Sequence, residues 1–324
     1  MASTTPVPTR LPLNTLGIGF GLSGLAGTWT AAVPALGAPP AVGEALWVAA
    51  AALWAGTLAR YGARVTRLGD IAEDLRHPVL GPFAALAPTT GSLLAAHLTT
   101  YLPGVGAALV WTMLAIAAAF GAWFVASMLT TPRRPATLHG GYLLPTVAAS
   151  LIAAQSLATI GHRGAATALL SAGILFWLLI GAVLLVRFAT GPELPGPLMP
   201  TLAIFSAPPA VAGNAWWAIA GPQLNTVHEV LLGTLAALLL PHLFLLRRYA
   251  HIPFVIGFWA FTFTTAASAT YGVRLLTLTP SAPHTTLGWL VTASATVIIG
   301  GIAVRSLALL RLPRRRHVEQ VQPA

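Results

Sequence analysis

The sequence predicts an all-α integral membrane protein of ten transmembrane helices, paired as five helical hairpins around a central path. Three observations predict it. Of 324 residues, 56% are hydrophobic and 7% charged, with a mean hydropathy of +0.79. A soluble domain of this length needs far more charge for its surface. The apolar residues fall into ten runs of about 20 residues or more, the length that crosses a hydrocarbon core. The arginines concentrate in every second loop between those runs.

The expected spans are 13–36, 42–63, 82–101, 104–129, 141–160, 165–189, 198–220, 227–246, 253–276 and 286–310. Arg10 precedes the first span. Arg64, Arg67 and Arg76 follow the second, with Arg60 at its end; Arg133 and Arg134 follow the fourth, Arg187 closes the sixth, and Arg247 and Arg248 follow the eighth. Arg311, Arg314, Arg315 and Arg316 follow the tenth, while the opposite loops hold Arg163 and Arg274. Positively charged loops stay on the cytoplasmic side, so both termini are expected there, in a multi-pass protein of the cell membrane. Three regions result: a cytoplasmic segment 1–12, a transmembrane domain 13–310 and a basic cytoplasmic tail 311–324, suited to anionic lipid. The polar start MASTTPVPTR leads into the first span without a small-residue cleavage site, so no signal peptide is expected. The longest inner loop, RVTRLGDIAEDLRHP, mixes acids, arginines and spaced apolar residues, and predicts a short interfacial helix with a solvated charged face.

Composition also excludes chemistry. There is no cysteine, hence no disulfide, thiol nucleophile or thiolate metal site. The net charge of +10 is read as membrane topology, not as nucleic-acid binding. No His/Asp/Glu cluster has metal-ligand spacing and no phosphate-binding loop occurs, so neither metal, cofactor nor ATP drive is expected. No nucleophile–base pair falls at mid-depth, and the chain is read as no enzyme.

The odd and even spans differ. The sixth, ALLSAGILFWLLIGAVLLVRF, is bulky and aliphatic, as lipid contact requires. The first carries Gly17, Gly19, Gly21, Gly24 and Gly27; the third Pro88, Thr89 and Thr90; the fifth Pro145 and Gln155; the seventh Pro208, Pro209 and Asn214. Glycine lets backbones approach, and a mid-membrane proline frees a carbonyl that must face protein or water. The odd spans are therefore placed inside and the even ones outside. The ninth, PFVIGFWAFTFTTAASATYGVRLL, moves from aromatics to small residues and threonines. Taken alone, it fits either a buried bundle helix or a wall of a narrow pore.

Five stretches carry a family likeness: GIGFGLSGLAGTW, RHPVLGPFAALAPTT, YLLPTVAASLIAAQ, SAPPAVAGNAW and FWAFTF, in order and on successive odd spans. Through them nearly the whole chain resembles the tellurite-resistance/dicarboxylate transporter family, which includes TehA-type proteins and plant slow anion channels. The resemblance implies five hairpins in quasi-fivefold arrangement, kinked odd helices around a central pore, and a homotrimer with one pore per protomer. It implies a pore-blocking phenylalanine at the position of Phe263. Family members often carry proline next, where this chain has Thr264.

The site expectations follow. Phe263 is the gate, since an aromatic plug excludes water and offers no charge partner; its alternative is interhelical packing. Gly21, Pro88, Pro145, Pro208 and Thr264 are candidates for pore lining or kinks. His97, inside an odd span, either senses protons or is a neutral hydrogen-bonded histidine. Two functions stand open: a channel for small inorganic or organic anions, or a proton-coupled carrier of C4-dicarboxylate or sulfite. The topology is testable. A single cysteine placed at Gly164 should react with an impermeant thiol reagent added to sealed cells, and one at Ser3 should not; the reverse labelling would overturn the orientation.

Overall fold

The computed structural model describes residues 10–278 and 281–310, so the tail 311–324 lies outside the described residues. Twelve α-helices and a set of short 3₁₀ and π turns appear there, with no strand among the described residues. The helices are α1 (Gly17–Leu36), α2 (Pro40–Gly62), α3 (Leu68–Arg76), α4 (Leu86–Leu98), α5 (Pro103–Thr130) and α6 (Ala149–Thr159). They continue as α7 (Arg163–Thr190), α8 (Leu202–Ser206), α9 (Pro208–Ala220), α10 (Thr226–His251), α11 (Ala260–Leu276) and α12 (Ala282–Leu310).

Seven of the described helical stretches are long and apolar enough to cross a membrane, or eight if Leu68–Arg76 and Gly81–Leu98, which meet at 114°, count as one. The sequence predicts ten crossings, the odd ones kinked, and the shortfall lies in the odd set. α2, α5, α7, α10 and α12 each run 23 residues or more without a break. The odd segments change pitch near their starts. A 3₁₀ turn, Leu13–Leu16, leads into α1, and another, Gly81–Ala85, into α4. A π turn, Leu144–Ala148, precedes α6. The predicted seventh span divides into a 3₁₀ turn, α8 and α9. The ninth does not begin at Pro253: its first helical turn is Ile256–Trp259 and α11 spans 17 residues.

Proline explains two of these breaks. Pro145 has no N–H for Gly141 O, and the Leu144 N–H takes that carbonyl one residue early. Pro208 likewise leaves Ile204 O, which the Ala207 N–H takes, ending α8.

Packing separates the two sets. α1 packs on α4, α4 on α6, α6 on α9, α9 on α11, and α11 on α1. α2, α5, α7, α10 and α12 pack behind α1, α4, α6, α9 and α11 in turn. Within the apolar stretches, 83% of the Gly140–Thr159 window and 61% of the Leu13–Leu36 window are buried, against 11–28% for the other five. That gap is what the glycine-rich and aliphatic compositions require.

Arg64, Arg67, Glu73 and Arg76 lie on the expected solvated face, but Asp70 and Asp74 are drawn inward. Arg10 donates to Asp74 Oδ2 at 2.9 Å and to Glu73 Oε2 at 3.0 Å, and lies 3.5 Å from Asp70 Oδ1. Tyr61 donates to Asp74 Oδ2 at 2.8 Å. Asp70 caps α3, accepting from the Thr66 N–H and hydroxyl and from the Arg67 N–H. Those donors, Thr66 first, hold its carboxyl far below the usual carboxylate range. Arg187 is also buried, donating to the carbonyls of Pro135 and Pro192.

The contribution of Asp70 is therefore present above the ordinary carboxylate pKa of about 4 and is lost only as pH falls well below it, through the lowered folded value. Neutral substitution should mimic acid: Asp70→Asn with Asp74→Asn should speed tryptic cleavage of the Arg10–Leu11 bond in detergent at neutral pH. Equal cleavage in the parent and the variant would mean the clasp does not hold this segment.

Candidate conduction cavity

Residues of all five inner segments line one apolar cavity. Each contributes from its N-terminal part: Gly17 and Phe20 of α1; Phe83 and Leu86 at the start of α4; Leu144 and Val147 before α6; Pro208 and Val211 of α9; Ala260 and Phe263 of α11. No charged or titratable side chain lines it.

Phe263 stands in this cavity, stacked on Phe20 with ring centroids 3.7 Å apart and planes 13° from parallel. Two small residues admit the ring. A Cβ on Gly24 would come within 3.0 Å of Phe263 Cδ2, and Ala266 lies beside it. Phe20 did not stand out in the sequence because GIGFGLSG reads as a close-packing motif. Its place between Gly19 and Gly21 was the available signal. Phe261 lies elsewhere, edge-on to Tyr249 at 4.8 Å.

Thr264 also lines the cavity, and its hydroxyl donates to Ala203 O at 2.9 Å. The bond completes the break before Pro208. With the Ala207 N–H turned to Ile204 O, Ala203 O lacks its usual helical donor. Pro208 opens α9 and lines the cavity.

The other expected residues lie apart from it. Gly21 faces α11 instead: a Cβ there would fall 2.7 Å from Thr262 Cβ. Pro88 sits in the first turn of α4 and lines a second apolar groove among α2, α3 and α5. Pro145 is buried in the π turn, off the cavity lining. His97 lies one residue from the C-terminal end of α4, bonded to Glu44 Oε2 at 3.0 Å and stacked on Trp47 at 4.5 Å. It is a hydrogen-bonded histidine between α4 and α2, remote from the cavity lining. Arg274, read from the sequence as near the ninth span's end, is in the last turn of α11, donating to Asn214 Oδ1 at 2.9 Å and lying over Trp217.

Comparison with known proteins places this architecture. A family model described as voltage-dependent anion channel (SLAC1) matches residues 10–307. The chain belongs to that family. Within it, a tellurite resistance protein TehA homologue from Haemophilus influenzae is 27% identical over 274 residues, 83% of this chain and 82% of that protein. The S-type anion channel SLAH4 of Arabidopsis thaliana is 32% identical over 114 residues, 35% of this chain and 29% of the plant protein. Membership of the voltage-dependent anion channel family supports anion transport by a multi-pass membrane protein. Among the described residues, no group of three or more His, Asp or Glu side chains is placed to hold a metal ion.

The glycine contacts yield a paired expectation. Gly21→Val overpacks the α1–α11 contact and should cost about 1–3 kcal/mol, seen as a lower melting temperature in detergent. Gly27→Ala, whose Cβ meets open space, should melt like the parent. Equal melting of both variants would show that the contact yields without cost.

Proposed function

We propose that the chain is an anion channel whose path runs through this cavity and is closed by the stacked rings of Phe20 and Phe263. The observation that carries the reading is Phe263 itself, standing among residues of all five inner segments and packed face-to-face on Phe20. An apolar constriction of two rings excludes water and solvates no ion, so the stack is the closed state. Permeation requires Phe263 to leave Phe20.

The sign of the permeant ion follows from helix direction. The N-terminal parts of all five inner segments meet at the cavity, and the N-terminal end of a helix carries partial positive charge. The field there favours anions without placing a cation in the path. A proton-coupled carrier needs a titratable group along the route. None lines the cavity, and His97 is engaged with Glu44 outside it. The same proposal takes the ten segments as five quasi-equivalent hairpins, with both termini cytoplasmic in the cell membrane. It also takes one path per protomer of a homotrimer.

Truncation tests the gate. Phe263→Ala and Phe20→Ala should each raise chloride and nitrate flux into liposomes at least tenfold, with near-normal melting, because water can occupy the vacated volume. Phe261→Ala should instead lower melting and leave flux unchanged, since its ring is packed on Tyr249 and not in the cavity. A Phe263→Ala protein that melts far lower and conducts no better would make the ring a packing residue. Uphill malate uptake driven by a proton gradient would replace the channel by the carrier.

A further inference from the structure

The cavity holds one side chain with unused hydrogen-bonding capacity, Asn14. Of the other hydrogen-bonding groups on its wall, the Thr264 hydroxyl is spent on Ala203 O and the Trp259 indole N–H on Ser306 Oγ at 2.8 Å. The Asn14 amide oxygen is buried and has no partner within the described residues. Among the described residues the amide nitrogen makes no hydrogen bond either. Such a group is expensive to keep in apolar surroundings unless a mobile species meets it.

We propose that the Asn14 amide is an anion-contact site, one that hydrogen-bonds a partly dehydrated inorganic anion on the loop side of the aromatic stack. This rests on the channel reading above. Asn14 lies in the 3₁₀ turn that opens the first segment, roughly 10 Å along the chain axis from Phe20. An anion reaching the rings must shed water among apolar residues, and the two amide N–H groups replace part of that shell. The amide is neutral, so it binds weakly enough for the ion to leave, as conduction requires. It also turns over as a unit, presenting nitrogen to an anion and oxygen to water in the ion's absence. The group therefore discriminates by hydration. It helps chloride, which holds its water tightly, more than nitrate, which sheds water readily.

The test uses the full-length protein with Phe263→Ala, so that the gate does not mask permeation. In that background Asn14→Leu, of similar volume and without polar atoms, should cut chloride conductance about tenfold, the order of one charge-assisted hydrogen bond. It should raise the nitrate-to-chloride permeability ratio severalfold. Asn14→Asp should lower the anion-over-cation preference, and Asn14→Gln, which keeps the amide, should retain the parent's chloride conductance within about twofold. Melting in detergent accompanies each measurement. If Asn14→Leu does not fold, the Asp and Gln pair decides: equal reversal potentials for the two would overturn the proposal. Unchanged conductance and permeability ratio in a folded Asn14→Leu protein would overturn it also. A silent Phe263→Ala parent would instead bring down the channel reading from which this one starts.

Discussion

The structure depends on one requirement: where an inner segment changes pitch, every freed carbonyl must find a donor inside the protein. Water is not free to supply it at membrane depth. Backbone N–H groups take two of them one residue early, Leu144 serving Gly141 O and Ala207 serving Ile204 O. Thr264 of α11 serves the third, Ala203 O of α8. Short side chains also bond carbonyls within the unbroken inner helices: Thr28 of α1 reaches Ala266 O at 3.1 Å and Asn214 of α9 reaches Ala267 O at 2.9 Å. Ser156 of α6 reaches Ser92 O at 3.3 Å. This is why threonine, serine and asparagine crowd segments that would otherwise be aliphatic. Each such bond also fixes the rotation of one inner helix against the next, and so decides which side chains face the cavity.

Close approach follows from the same economy of side chains. α1 and α11 can exchange Thr28–Ala266 bonds only because Gly21 and Gly24 let the helices nearly touch. The space spared at Gly24 is the space the Phe263 ring occupies. Packing, hydrogen bonding and the aromatic stack are thus one arrangement seen at three levels. The outer helices stand apart from it. Their exposed leucines, valines and isoleucines, such as Leu178, Val186 and Val297, need no polar partner.

That contrast decides what could be read from the sequence. The outer helices were legible because an unbroken aliphatic run has one physical meaning. The inner ones were legible as inner and as kinked, but not in detail, since Pro145 and Pro208 mark a missing N–H without saying which carbonyl takes which donor. Phe263 emerged through family likeness, because its spacing on the ninth span equally suits packing. Phe20 was hidden by its glycines, and Asn14 by its place at the edge of the first span, where a polar residue passes for an interfacial one. The Arg10 clasp was missed because charges in a loop read as solvated until their partners, here three carboxylates, are seen beside them. His97 stood open between proton sensing and a hydrogen-bonded histidine, because the sequence does not show its partner; Glu44 of α2 supplies one.

If the proposed gate is Phe263, Thr264 aims it without the proline that the family resemblance leads one to expect next to it. A proline would bend α11 by removing a donor from its own backbone. The threonine leaves α11 intact from Ala260 to Leu276 and ties it sideways to Ala203. The kink is then carried by the neighbouring segment, at Ala207 and Pro208, and by the 3₁₀ turn Ile256–Trp259 below the helix. Orientation of Phe263 comes from a bond between segments, not from a bend within one. Release of the ring is consequently coupled to α8: any motion that breaks the Thr264–Ala203 bond strips a buried carbonyl of its donor, and that cost adds to the unstacking of Phe263 from Phe20. In the proposed channel, the closed state is held by a polar contact beside the ring as well as by the ring itself.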